Sequence, residues 1–308
     1  MASGTPTRTR GSRGSRLEDA SEAELTSEAR SLGGFTGGVA AWWAVRAAEA
    51  GLDGRWTDVR FALKARAASE ISPRSEPPAG WHTPNDLGQA YLETLAAATR
   101  SEHGRHYTPP DLAEQLWRMT RRALGWPADD LQLPGLVVDP AAGGASLLIP
   151  PLREHLRASE GTDPAEVVRG LPGLMRGSDL DPVAVWVANV VLAAECLPLL
   201  AAIPTEARKP FPQLVYEADG LAPSASPALA VLMNPPYGRV RLTPDERLRF
   251  SHVVRGHANL YALFMAAGSA HLVEGGALGA LVPTSFTAGR YFENLRGYLE
   301  ASTPMREI

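Results

Sequence analysis

The amino-acid sequence predicts an α/β protein with a doubly wound parallel sheet, preceded by a helical region. Two observations lead to this prediction. From about residue 100 onward, short apolar runs alternate with stretches of helical periodicity, which is the pattern of strand–helix–strand units. Before that point the spacing of apolar residues is mainly helical.

The N-terminal part of the sequence divides into a tail and a helical region. Residues 1–16 are rich in Gly, Ser, Thr and Arg and contain no acid, so we expect a disordered basic tail. Residues 17–98 form the predicted helical N-terminal region. Within it, the Pro- and Ser-rich residues 72–82 predict a linker, and a helix is expected over about 84–98.

The α/β part spans residues 99–308 and contains five predicted strands. Each is a short apolar run bounded by polar residues, glycine or proline. The predicted strands are 135–139, 173–179, 213–219, 229–234 and 277–283. The main helices between them are predicted over 182–197, where Pro182 favours a helix start, and over 258–274.

Composition excludes several classes of protein. The net charge of −4 and the pI of about 6.0 argue against a uniformly basic nucleic-acid binder, so any positive surface must be local or come from another region. No apolar run is long enough to span a membrane and no signal peptide is evident, so we expect a cytoplasmic protein. The single cysteine, Cys196, excludes an internal disulfide and is expected to be buried. No metal site is predicted.

Polar residues follow four consecutive predicted strands. In open α/β sheets, ligands bind outside the carboxyl ends of the strands, so these residues form the candidate site. After the first strand, the glycines of Asp139-Pro140-Ala141-Ala142-Gly143-Gly144 permit close approach of a ligand to the backbone. Asp179 ends the second strand, where a carboxylate can accept from a ribose diol. Asp219 ends the third, where it can accept from an exocyclic amine.

The fourth strand ends in the stretch LAVLMNPPYGRV, residues 229–240. Two consecutive prolines cannot donate to a sheet ladder, so the strand is expected to stop at Asn234. The sequence therefore predicts a rigid, exposed turn that presents an amide and the ring of Tyr237. A nicotinamide site or a P-loop fits less well, because G-x-G-x-x-G and Gly-Lys-Ser/Thr are absent.

These motifs resemble the S-adenosylmethionine-dependent N6-adenine DNA methyltransferases of restriction–modification and phage-defence systems. The family's cofactor motif Asp-Pro-Ala-Cys-Gly-Ser-Gly corresponds to residues 139–145, with Ala142 for the cysteine and Ala145 for the last glycine. The catalytic motif of the family matches NPPY at 234–237. Further upstream, GRHYTPPDLAEQL at 104–116 resembles the family's N-terminal cofactor segment. The resemblance extends from residue 86 to the end of the sequence. It includes residues 86–95, which resemble a helix that often precedes that segment, and the long helix and fifth strand at 259–286.

The resemblance implies a Rossmann-like S-adenosylmethionine methyltransferase fold, with S-adenosyl-L-methionine as the cofactor. It also implies methyl transfer to the N6 amine of an adenine flipped out of DNA. The catalytic residues that it implies are Asn234, Pro235, Pro236 and Tyr237. The cofactor-binding residues that it implies are Tyr107, Thr108, Pro109, Asp139, Pro140, Ala141, Gly143, Asp179, Leu180, Asp219 and Asn234.

The resemblance further implies DNA as a partner, together with a specificity subunit or a C-terminal target-recognition region. The family's sheet has two more strands after the position of residue 308, so residues 99–308 are expected to be an incomplete catalytic domain. Residues 238–257 carry five arginines and two acids, which suits either phosphate contacts or a solvated helix face.

Two alternatives remain open from the sequence. The chain could be a non-catalytic or split methyltransferase-fold subunit that needs a partner. It could also methylate a protein or RNA amine, since NPPY occurs in enzymes of those classes as well. Cofactor binding distinguishes the non-catalytic alternative, and the identity of the methylated substrate distinguishes the other.

Overall fold

The computed structural model has a five-stranded parallel sheet at its centre, with helices on both faces. It describes residues 22–65, 71, 76–95, 107–127, 132–223 and 226–307, so the tail predicted over 1–16 lies outside the described residues. The strands of this sheet are β1 (Val137–Asp139), β2 (Met175–Asp179), β3 (Val215–Glu217), β4 (Ala228–Met233) and β7 (Leu272–Ala280), and β5 (Arg239–Val240) and β6 (Ala258–Asn259) form a separate antiparallel pair.

The helices fall into an N-terminal group and a group that alternates with the strands. The N-terminal group is α1 (Glu22–Glu49), a 3-10 turn (Gly54–Thr57), α2 (Val59–Ala62) and α3 (Pro84–Thr94). The remaining helices are α4 (Pro110–Ala123), α5 (Ile149–Ala158), α6 (Pro164–Leu174), α7 (Pro182–Glu195), α8 (Leu197–Ala202), α9 (Pro244–Arg249), α10 (Leu260–Ala270), α11 (Ser285–Ala288), a 3-10 turn (Arg290–Phe292) and α12 (Glu293–Ser302).

The strand order is β3-β2-β1-β4-β7, which confirms the predicted doubly wound sheet. The chain starts the sheet in the middle and builds outward, first through β2 and β3 and then through β4 and β7. The point where this direction reverses lies between β1 and β4, and ligands of such sheets bind at that point. The carboxyl ends of β1, β2 and β4 are therefore neighbours.

The core lies on both faces of this sheet. Successive residues of a strand point to opposite faces. Accordingly, Val137 and Ala230 belong to one hydrophobic cluster, and Val138 and Val231 belong to the other. Because both faces are covered, the central strands β1 and β4 are almost entirely apolar in sequence, which is why they could be predicted.

Several element boundaries differ from prediction. The strand predicted from residue 173 begins at Met175, because α6 continues to Leu174 with its Val167, Val168 and Leu171 positions buried. The strand predicted over 277–283 spans 272–280, and its early part pairs with β4 across an irregularity in register. Cys196 is fully buried, as predicted, and burial raises the pKa of its thiol.

The N-terminal helices pack against the sheet region and against their own connections. The Trp42 indole donates to the carbonyl of Trp81 (3.0 Å), and the ring of Trp81 lies edge-on to Phe35. The described residues 76–82 of the predicted linker are thus packed against α1. The boundaries predicted for the N-terminal and catalytic regions stay predictions.

A second connection joins the N-terminal helices to the α/β part. Leu63 and Phe211 form an isolated parallel bridge, in which Lys64 N donates to Phe211 O (3.1 Å) and Phe211 N donates to Ala62 O (2.8 Å).

None of the helices in the described ranges combines the length and apolar character needed to cross a bilayer.

Candidate functional site at the carboxyl ends of the strands

The loop after β1 has a tight conformation that keeps its backbone open. Asp139 is buried, and its Oδ1 accepts from Ala141 N (3.0 Å). Gly143 and Ala145 have positive φ angles of 49° and 64°. A Cβ on Gly143 would meet no atom within 4 Å, so a ligand can approach the backbone there. Ala145 adopts a left-handed backbone conformation. Glycine adopts this conformation without strain, but a residue with a side chain does so at a cost of about 1–2 kcal/mol.

Asp179, the last residue of β2, is fixed in place by two backbone amides. Its Oδ2 accepts from Gly143 N (3.0 Å), and its Oδ1 accepts from Asp181 N (2.9 Å). One carboxylate therefore ties the β1 loop to the start of α7. Leu180, between the two acids, is 58% exposed at this edge.

The loop after β3 packs directly on the loop after β1. Asp219 Oδ1 accepts from Leu221 N (2.9 Å). The next residue, Gly220, lies so close to Pro140 that a Cβ there would be 1.8 Å from the Pro140 carbonyl oxygen. The sequence contains no sign of this contact, because Pro140 and Gly220 lie in loops that follow two strands, β1 and β3, which do not pair.

The turn after β4 centres on the amide of Asn234. Its Nδ2 donates to Thr108 Oγ1 (3.0 Å), and its Oδ1 accepts from the Tyr237 hydroxyl (2.9 Å), which also lies 3.3 Å from Leu281 O. Thr108 is 6% exposed, so its hydroxyl is a buried anchor for the amide. The prediction of an exposed turn is wrong for Pro235, which is buried. The other three residues of the motif are half-buried.

Aromatic rings pack against the tyrosine of this turn. Tyr237 lies edge-on to Tyr261 at a centroid distance of 6.2 Å, and Tyr261 in turn lies against Phe292 at 4.9 Å. Burial raises the pKa of the Tyr237 phenol, so the hydroxyl stays protonated and able to donate. Tyr107 is half-buried, and burial together with the charge of Asp86 raises its pKa.

The arginine-rich segment follows the turn immediately. Its β5 and β6 pair, and Leu260 N donates to Gly238 O (2.9 Å), which holds the segment beside the turn. Arg255 pairs with Glu293 (2.9 Å) at the surface. All five of its arginines are exposed, namely Arg239, Arg241, Arg247, Arg249 and Arg255.

The buried Asp139 makes stability depend on pH. Burial and the negative charge of Asp179 raise the pKa of Asp139 from 3.8 to about 7, although the hydrogen bond from Ala141 N lowers it. A carboxyl group whose pKa is higher in the folded state than in the unfolded state contributes to the free energy of unfolding. That contribution is fully present below about pH 4 and is lost as the pH rises through 7. We expect the free energy of unfolding, measured in urea, to be about 2 kcal/mol lower at pH 8 than at pH 5.

The Asp139→Asn variant is the control for this pH dependence. Its amide oxygen can still accept from Ala141 N, but it has no proton to lose. The difference between pH 5 and pH 8 should therefore shrink by about 2 kcal/mol. An unchanged difference in this variant would assign the pH dependence to other groups.

Comparison with known proteins adds independent findings. Residues 230–308 match the family model described as Eco57I restriction-modification methylase. No curated protein sequence matches the chain. The fold is similar to the type IIG restriction endonuclease BpuSI (TM-score 0.53, 16% identity, 89% of this chain and 33% of that chain). It is also similar to LlaBIII, an ATP-dependent type ISP restriction-modification enzyme bound to DNA (TM-score 0.54, 15% identity, 72% and 18%).

A third similar structure is a putative class I S-adenosylmethionine-dependent methyltransferase from Listeria monocytogenes (TM-score 0.44, 19% identity, 72% of this chain and 60% of that chain). The chain thus spans from about a fifth to three fifths of the lengths of these proteins. At these identities the likeness shows the fold alone. The predicted resemblance is confirmed at this level: the chain shares its fold with the restriction enzymes BpuSI and LlaBIII, and its residues 230–308 match the Eco57I restriction-modification methylase family.

Proposed function

We propose that this chain transfers a methyl group from S-adenosyl-L-methionine to the N6 amine of an adenine in DNA, as part of a restriction–modification system. The observation that carries the proposal is the amide of Asn234, held by Thr108 and Tyr237 at the end of β4, on the sheet edge where β1 and β2 end in Asp139 and Asp179. The match of residues 230–308 to a restriction-modification methylase family supports it.

The edge formed by β1, β2 and β3 suits an adenosine-bearing cofactor. Asp179 is a fixed acceptor for a ribose diol, and Asp219, in the loop after β3, is the acceptor proposed for an exocyclic amine. The open face of Gly143 leaves room for a ligand against the backbone. S-adenosylmethionine, when bound, supplies an electrophilic methyl group on sulfur.

The chain's own residues prepare the amine for attack. The lone pair of an exocyclic amine is delocalised into the base, so the amine is a weak nucleophile. Two acceptors, Asn234 Oδ1 and the carbonyl oxygen of Pro235, can accept hydrogen bonds from its two N–H groups and localise the lone pair. Catalysis then comes mainly from positioning and fixed dipoles. The amine loses a proton only after attack, so no strong base is needed.

The target base must reach this turn from outside a duplex. We propose that it is flipped out and stacks on the ring of Tyr237. The exposed arginines of residues 239–255 lie next in the chain, where they suit phosphate contacts. DNA is therefore the proposed partner, and a specificity subunit or target-recognition region is proposed to select the sequence.

The test is product identification. The purified chain is incubated with isotopically labelled S-adenosylmethionine and unmethylated DNA. The DNA is then digested to nucleosides, which are identified by mass spectrometry. We expect label in N6-methyl-2′-deoxyadenosine, and its loss in the Asn234→Ala variant. Cofactor binding without transfer would favour a split or non-catalytic subunit, and label in protein or RNA would favour the other substrate classes.

Thr108 tests how the Asn234 amide is oriented. Thr108→Val keeps the shape but removes the hydroxyl, so the amide loses its buried partner. We expect kcat to fall about 10-fold, with cofactor Kd unchanged and with Thr108→Ser restoring most of the rate. A raised Kd with normal kcat would instead place Thr108 at the cofactor, as the resemblance implies.

A further inference from the structure

Helix α3 touches the proposed cofactor edge at two separate points. The first is a contact between two glycines. A Cβ on Gly144 would lie 2.7 Å from Gly88 Cα, and a Cβ on Gly88 would lie 3.3 Å from Gly144 Cα. The helix backbone and the β1 loop are therefore in direct contact, with no side chain between them.

The second contact is a hydrogen bond from Tyr91, one turn further along α3. Tyr91 is 2% exposed, and its hydroxyl donates to Asp181 Oδ2. The other oxygen of Asp181 caps α7 by accepting from Val183 N (2.8 Å). Both residues are thus held in one orientation.

The two contacts meet in Asp179. The backbone N–H of Asp181 donates to Asp179 Oδ1, and Asp179 Oδ2 accepts from Gly143 N. A continuous path of contacts therefore runs from Tyr91 through Asp181 and Asp179 to Gly143, and from there back to α3 through Gly144 and Gly88.

We infer that α3 is a positioning element for the cofactor site, with Gly88 and Tyr91 as its positioning residues. They fix the loop around Gly143 and the Asp179 carboxylate in the conformation that the ligand requires. Preorganisation of this kind raises affinity because less order has to be imposed on binding. The inference deepens the proposed function and rests on it for the identity of the ligand, S-adenosylmethionine.

Gly88→Ala gives a sharp test because two effects oppose each other. Alanine favours a helix more than glycine does, so the change stabilises α3 itself. The alanine Cβ would nevertheless lie only 3.3 Å from Gly144 Cα, which is a close contact. Gly170→Ala in α6 is the matched control, since it makes the same helix substitution where no atom lies within 4 Å. Tyr91→Phe tests the second contact without adding an atom.

Two measurements on the full chain separate the outcomes. The first is amide hydrogen exchange over residues 140–147 without ligand, which reports local opening of the loop. We expect exchange there to be about 5-fold faster in Gly88→Ala and about 10-fold faster in Tyr91→Phe, and unchanged in Gly170→Ala. The second is the Kd of S-adenosylhomocysteine by calorimetry, which should rise by similar factors.

Exchange decides the inference even if the ligand does not bind. Wild-type chain that fails to bind S-adenosylhomocysteine would count against the proposed function, while faster loop exchange in the two variants would still support positioning by α3. Unchanged loop exchange in both folded variants would overturn the inference. If Gly88→Ala does not fold, Tyr91→Phe alone decides it.

Discussion

Replacing Asn234 with alanine is expected to lower the rate of methyl transfer about 1000-fold, while the cofactor Kd stays within about twofold. The amide oxygen is the side-chain acceptor proposed for the substrate amine, and an alanine leaves only the Pro235 carbonyl. Single-turnover transfer, measured at saturating cofactor and DNA, reports this chemical step separately from binding.

Two further variants sharpen this prediction. Asn234→Asp keeps an acceptor but loses the Nδ2 donor to Thr108, so its rate should lie between those of wild type and Asn234→Ala. Asn294→Ala removes an exposed amide on α12 and should leave the rate unchanged. A rate above a tenth of wild type in Asn234→Ala would contradict the proposed role of the amide.

Replacing Gly220 with alanine is expected to lower the free energy of unfolding by about 3 kcal/mol. A Cβ at this position would lie 1.8 Å from the Pro140 carbonyl oxygen and 3.0 Å from the ring of Phe264. Both contacts are with well-packed groups, one of them backbone, so the loops after β1 and β3 must move apart. Urea unfolding at pH 6 measures the loss.

The same change should also weaken cofactor binding, because Asp219 precedes Gly220 and moves with it. Ala222→Ser is the control, since it adds one atom to an exposed position of the same turn. It should change neither stability nor Kd. If Gly220→Ala unfolded at the same urea concentration as wild type, the close approach of the two loops would be incorrect.

Most of the fold could be predicted because buried parallel strands leave a direct trace in sequence. Their apolar runs and the turn residues after them placed all five strands of the main sheet. Boundaries were less predictable where helix and strand meet without a loop. The apolar positions of α6 continue into β2, so the sequence around Gly173 is compatible with either structure.

The candidate site residues could be placed at strand ends, but their contacts could not. Thr108 and Asn234 are 126 residues apart, and Tyr91 and Asp181 are 90 apart. Sequence spacing carries no signal across such distances. One clue was available in Gly88, because a glycine inside a helical pattern often marks close packing.

The bridge between Leu63 and Phe211 has a consequence for the order in which a ribosome-bound chain can fold. Helix α1 packs against α7, and the segment after α2 pairs with residue 211. The segment after α2 therefore lacks this partner strand until about 150 further residues have been made. At about 5–20 residues per second this wait lasts roughly 10–30 s. Formation of the parallel bridge between Leu63 and Phe211 is therefore a late event in synthesis, because Phe211 must first leave the exit tunnel.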